Sequence, residues 1–335
     1  VQQRPEHRSE RRTEHRTEHR TEHRTEHRTE HRTEHRTGDR IDRRRVLQGL
    51  AAGGLLATTG GVFEEWLSAD EPDPLPAARF RFGLVTYLWG QDLSLPRLID
   101  SCKSSGLEGV ELRTTHAHGV EPDLTPQQRI EVKQRFDDSP VTCVGIGSNE
   151  KLHHQDPARL KAAMDATRAF LKLSAEIGGS GVKVKPDQCP QGEELGRTIE
   201  RIGGALQQLG KEAADIGQQI RLEVHGSCAR LPLIERILEV ADHPAVGVCW
   251  NSNDSDLAGD GLEHNFARVR QRLADTLHVR RLDEQRYPYK KLFGLLRQQQ
   301  WDGWMLLEAH DRPPEARVEA LRSQRVQFDA MVKLP

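Results

Sequence analysis

"RLEVHGS", residues 221–227, is a strand-like run of apolar residues that ends in a carboxylate, Glu223, and an imidazole, His225, two positions apart. Side chains at i and i+2 of a strand point to the same face. One face of a buried strand therefore ends in two groups that are costly to bury, which calls for a reason. The same pattern recurs along the chain. From Phe80 onward β-rich runs alternate with helical ones: "FGLVTYLWG" (82–90), "GVELR" (109–113), "VTCVGIG" (141–147), "GVKVK" (181–185), "IRLEVH" (220–225), "VGVCWN" (246–251), "TLHVR" (276–280) and "WMLLEAH" (304–310). Helical spacing fills 95–105, 125–137, 157–177 and 192–215, helix-sized gaps separate the later strands, and a closing helix is rich in Arg, Glu, Ala and Leu.

Eight strands, each followed by a helix or room for one, over residues 80–333, predict an α/β protein built as a (β/α)8 TIM barrel, which takes ~250 residues. A doubly wound sheet is the alternative. It wants a Gly-rich first turn, and no G-x-G-x-x-G stands after any strand; "GIGSNE" after the third gives half of one.

The first eighty residues read differently. Residues 13–36 are six copies of TEHR. A period of four stacks Glu14 on Glu18 and Arg16 on Arg20 along a helix, where like charges repel. With almost nothing apolar to bury, residues 1–40 are expected to be disordered. Residues 41–69 contain "DRRRVLQGLAAGGLLATTGGV", a basic cluster before a mild apolar run of 14 residues, Gly49–Val62. That run is too short for the ~20 residues that span a bilayer, and its order resembles a twin-arginine export signal, so an exported or periplasmic protein without a stable membrane span is expected. Residues 70–79 are a linker holding Pro72, Pro74 and Pro76.

Residues 1–45 hold 14 Arg against 10 Asp or Glu, while the chain as a whole carries a formal net charge of −2, so the folded body is acidic. That argues against nucleic acid as a partner. Five scattered cysteines with no C-x-x-C read as reduced core or pocket thiols.

In such a barrel the site lies at the C-terminal ends of the strands. Those ends carry Glu111, Arg113, His116 and His118 (strand two), Lys183 and Lys185 (four), Glu223 and His225 (five), Asn251 and Asp254 (six), His278 and Arg280 (seven), and Glu308 and His310 (eight). Glu223, His278, Glu308 and an oxygen of Asn251 could hold one divalent ion. Oxygen and nitrogen ligands without thiolate favour Mn²⁺, Mg²⁺, Co²⁺ or Zn²⁺ in a reactive site over a structural zinc.

With these residues in place, the body resembles the xylose-isomerase-like family of sugar isomerases and epimerases. In that family a Glu ends strand five, an Asp ends strand six, a His lies on strand seven and a Glu ends strand eight. The matching positions are Glu223, Asn251, His278 and Glu308, with Asn in place of Asp. "CWNSND" resembles a branch of exported, planctomycete-type members, and "HVRR" departs from the family's usual run after the strand-seven His. The resemblance implies a metal-dependent isomerase or epimerase in which Glu223 and Glu308 exchange a proton next to a carbonyl through an enediolate. His116, His118, Lys185, His225, Asp254, Arg280 and Arg286 are the candidate substrate contacts. Each has a plainer alternative as a rim or barrel-filling side chain.

The substrate expected is a small carbohydrate without phosphate, because "LDEQRYPYKK" and "AHDRPPEAR" lack the glycines of a barrel phosphate site. Association into a homo-oligomer stays open. A 3-keto-sugar lyase or hydratase would use the same groups, and a non-catalytic sugar-binding barrel is the third class. The related endonuclease IV barrel needs ligand motifs after strands six and seven that are missing here.

Overall fold

The computed structural model describes Ala77 and residues 79–334. The TEHR repeat and the twin-arginine-like segment lie outside the described residues, as does most of the linker. Eight strands and eight main helices alternate: β1 (Arg81–Val85), α1 (Leu95–Ser105), β2 (Gly109–Arg113), α2 (Pro126–Asp137), β3 (Thr142–Lys151), α3 (Pro157–Glu176), β4 (Gly181–Lys185), α4 (Glu193–Asp215), β5 (Gln219–Glu223), α5 (Leu231–Val240), β6 (Val246–Cys249), α6 (Leu262–Val269), β7 (Thr276–Val279), α7 (Tyr289–Gln298), β8 (Trp304–Leu307) and α8 (Arg317–Val332). The strand order is β6-β5-β4-β3-β2-β1-β8-β7, with parallel ladders throughout. Between β6 and β7 the ladder thins to two parallel bridges, Val248 to Leu273 and Asn251 to His278. The result is a nearly closed TIM barrel.

Local sequence sets the helix starts. Thr125 and Gln128 form a capping box at α2, and Asp156 accepts the Ala158 N–H at α3, each just before a proline that tolerates the first helical turn. Gly106, at φ 77°, ends α1 in the left-handed region that glycine takes without strain.

The period of two then divides each strand. Val110 and Leu112 of β2, Val182 and Val184 of β4, and Ile220 and Leu222 of β5 are fully buried. They form one face, packed outward against the helix layer; each such side chain contributes about 1.5–3 kcal/mol of burial. The alternate face points into the barrel and carries charge: Glu111 and Arg113, Lys183 and Lys185, Arg221 and Glu223. The barrel interior, usually filled by Val, Ile and Leu, is here shared between these buried ions and a small apolar cluster of Val85, Val144, Trp304 and Leu306.

The expectation of five reduced thiols is corrected. Cys189, in the loop after β4, and Cys228, just after β5, form a disulfide with Cα atoms 5.0 Å apart. They are 39 residues apart in sequence, and only the adjacency of β4 and β5 brings their loops together. Cys102, Cys143 and Cys249 are buried free thiols.

Candidate metal and substrate site

Glu223 ends β5, His278 lies within β7 and Glu308 directly follows β8. One potential ligand atom from each lies within 4.8 Å of the others, and all three side chains are buried. His278 Nδ1 is 3.9 Å from Glu223 Oε1 and 3.6 Å from Glu308 Oε2. Among the described residues that nitrogen has no hydrogen-bond partner, whereas Nε2 is 3.2 Å from Glu111 Oε1. A buried nitrogen without a partner, facing two carboxylates and backed by a third on its other nitrogen, is what a metal-binding imidazole presents. The donor set therefore fits a divalent ion.

Two further groups meet Glu223. Lys183 Nζ donates to its Oε2 at 2.7 Å, and the Asn251 amide nitrogen donates to its Oε1 at 3.0 Å. Lys183 is fully buried. Its place on the inward face of β4 was legible from alternation, but its pairing with the strand-five glutamate was not. Lys183, one pleat deeper than Lys185, is the strand-four lysine that pairs with Glu223.

Burial alone would raise the Glu223 carboxyl, yet Lys183 outweighs both burial and the repulsion of Glu308 and holds it ionised below the usual range. Glu308 is held down against burial by His278, with Lys183 and Arg113 adding to the effect. Burial works against the His278 imidazolium, but the Glu111 and Glu308 carboxylates around it raise its pKa well above the ordinary value.

Glu111 links this cluster to the barrel floor, where Arg221 lies 3.9 Å from it and bonds Asp275 at 2.8 Å. Arg113 lies above Glu111 on the same face. Its Nη1 is 3.7 Å from Glu308 Oε1, its Nη2 donates to Asn149 at 2.8 Å, and the guanidinium sits 4.6 Å over the Tyr87 ring.

The remaining candidates divide. His116 accepts or donates at Thr86 Oγ1, 3.0 Å away; burial, then Arg113 and His118, bring its pKa down to about 4, so it is neutral. His118 is buried, with one ring nitrogen 2.8 Å from the Arg113 carbonyl and the other accepting the Val120 N–H, so its own loop uses both. It is a loop lock, with no nitrogen left for a ligand. His225 is held at the rim by Asp187, 3.1 Å from Nδ1; that bond, against burial and with help from Lys151, keeps Asp187 well below the usual carboxylate range. Asp254 and Arg286 are exposed and bond each other at 2.8 Å. The Arg280 N–H donates to the Tyr289 hydroxyl. His310 lies 3.7 Å from Glu308 and edge-on to Tyr87.

Solved structures share this architecture. A 3-keto-D-glucoside 4-epimerase, YcjR, from E. coli is 16% identical, with a TM-score of 0.63 over 75% of this chain and 99% of that one. D-psicose 3-epimerase with D-tagatose from Clostridium cellulolyticum H10 is 15% identical, with a TM-score of 0.62 over 75% and 98%. An IOLI protein with a binding zinc atom is 14% identical, with a TM-score of 0.62 over 76% and 98%. No curated protein sequence matches. Residues 99–326 match a family described as the xylose isomerase-like TIM barrel. That span covers more than half of the chain and includes all three members of the buried Glu–His–Glu triad, so the protein belongs to the xylose isomerase-like TIM barrel family.

Proposed function

We propose that the protein is a metal-dependent sugar isomerase or epimerase that works by proton transfer at a carbon next to a carbonyl. The convergence of Glu223, His278 and Glu308 at the mouth of the barrel carries this reading. These three would hold one divalent ion, with Asn251 as the neutral fourth member of the set. When bound, the ion supplies Lewis-acid polarisation of the substrate carbonyl and favours the enediolate.

The chain's own residues do the rest. Glu223 and Glu308 lie buried at one site, so either is placed to act as a base toward a C–H between them. Exchange of the proton between the two carboxylates inverts the carbon, and its return to the neighbouring carbon isomerises the sugar. Glu111 holds the His278 ring by its Nε2 and so fixes which nitrogen faces the carboxylates. His116 is a neutral donor or acceptor for a sugar hydroxyl, and Asp187 orients His225 toward the same rim.

The test is solvent exchange. A ketose incubated in D₂O with the Mn²⁺-loaded protein should gain deuterium next to its carbonyl. Glu223→Gln and Glu308→Gln should each slow this by about 10²–10⁴-fold. Exchange at the unmodified rate in either variant defeats the assignment.

We also infer export. The Arg43-Arg44 motif ahead of a short apolar run supports it, and a Cys189–Cys228 bridge suits an oxidising compartment.

A further inference from the structure

Most charges around the triad are answered. Lys183 bonds Glu223 at 2.7 Å, Glu111 has His278 at 3.2 Å, Arg221 bonds Asp275 at 2.8 Å, and Asp187 is taken by Lys151 and His225. Among the buried cations of this rim, Lys185 has no such partner and Arg113 is only partly satisfied. Lys185 is 9% exposed, and among the described residues its ammonium has neither a hydrogen-bond nor an ion-pair partner. Arg113 is equally buried, and its buried Nε has no partner. Its Nη1 approaches Glu308 only at 3.7 Å, beyond a hydrogen bond.

The two sit on β4 and β2, on either side of β3, whose Asn149 anchors the Arg113 guanidinium through Nη2. Tyr87 supports that guanidinium from one face. Arg113 is thus held in place with donors to spare.

Lys185 is an expensive residue in this position. Burial, followed by the like charge of Lys183, brings its pKa down to about 8; Arg113 adds to the repulsion, and attraction by Glu223 and Glu308 offsets only part of it. Arg113, Lys183 and Lys185 lie among Glu111, Glu223 and Glu308, and of these cations only Lys183 makes a hydrogen bond to a carboxylate. A methionine at 185 would fill the space without the cost of a buried charge. The charge is accounted for if an anion joins it.

Resting on the reading above, we propose that the substrate is a sugar acid, a keto-sugar bearing a carboxylate, and that Lys185 and Arg113 form the subsite for that carboxylate. Arg113 offers the planar donors that suit a carboxylate, and Lys185 supplies the second charge. The substrate carbonyl then faces Glu223 and Glu308.

Matched pairs test this in the full-length, Mn²⁺-loaded protein. D-fructuronate differs from D-fructose, and D-tagaturonate from D-tagatose, only by a carboxylate in place of a hydroxymethyl group. Calorimetry should show each acid binding at least about 10-fold tighter than its neutral partner. Lys185→Met should bring the acid down to the affinity of the neutral sugar, and Lys185→Arg should restore the preference. Equal affinity within both pairs overturns the proposal, as does a Lys185→Met loss that is the same for acid and neutral sugar. The two ideas fail separately. Deuterium exchange on the ketoses without preference for the acids sinks the subsite alone. A preference for the acids that vanishes in Lys185→Met, without exchange on any ketose or acid, keeps the subsite and sinks the enediolate reading.

Discussion

Lys183 and a divalent ion place the same demand on Glu223: each offers positive charge to one buried carboxylate. At 2.7 Å the ammonium already answers that charge. An incoming ion meets both its repulsion and its hold on Oε2. The neutral Asn251 removes a carboxylate that would otherwise favour the ion. Lys183→Met is therefore expected to tighten Mn²⁺ binding by about 10-fold or more, a difference of at least about 1.4 kcal/mol. The same variant leaves Glu223 without its cation when no metal is present. Breaking a buried pair costs about 3–5 kcal/mol, so the metal-free variant should melt earlier and be rescued by Mn²⁺. Calorimetric titration and thermal unfolding with and without metal measure both effects. Unchanged or weaker Mn²⁺ affinity would show that Lys183 does not compete for the site.

At the scale of elements, β3 makes room for β2. A register shift between Val110 and Glu111 sets Glu111 beside Gly145, with Gly147 opposite Arg113. A Cβ on Gly147 would lie 2.7 Å from Glu111 Oε1 and 3.0 Å from Arg113 Cγ. Glycine at 147 is thus what lets the Glu111 carboxylate reach His278. The second glycine of the "GIGSNE" stretch clears space for a neighbouring strand's side chains. Gly147→Ala should push Glu111 off His278 Nε2, destabilise the fold by about 1–3 kcal/mol through overpacking, and weaken Mn²⁺ binding. Calorimetric titration and chemical unfolding of the variant test this; unaltered metal affinity would mean that Glu111 does not position the histidine. The disulfide acts on neighbouring elements too, tying the loop after β4 to the turn after β5 near Asp187 and His225.

For the whole molecule, barrel closure decides which groups meet. β5, β7 and β8 are far apart in sequence, and β5 does not pair with β7 or β8 in the sheet. β7 and β8 are neighbours in the ladder, and the end of β5 meets theirs because the sheet closes through the Val248–Leu273 and Asn251–His278 bridges. The barrel and the N-terminal segment carry separate roles in the proposal. The twin-arginine-like motif should route the chain without affecting the barrel. Replacing Arg43 and Arg44 together with Lys is expected to retain the protein in the cytoplasm while its Mn²⁺ affinity stays unchanged, as fractionation and titration would show. Continued export of this variant would remove the motif from the account.

The barrel and the strand ends that carry its polar groups are legible in the amino-acid order alone, because both follow from short-range periodicity. A period of two marks each strand, and the inward-facing set ends in Glu223, His278 and Glu308 whatever the neighbours are. It also marked Lys183 and Glu111 as buried polar residues on apolar strands, without saying whom they meet. The partners are a matter of tertiary structure: Lys183 with Glu223, Glu111 with His278, His118 with its own loop, Cys189 with Cys228, and Lys185 without a hydrogen bond or close ion pair among the described residues. Pairing across a barrel depends on strand register, on a bulge beside Gly145 and on which loops lie side by side. Those distances are set by closure of the sheet, and no local spacing encodes them.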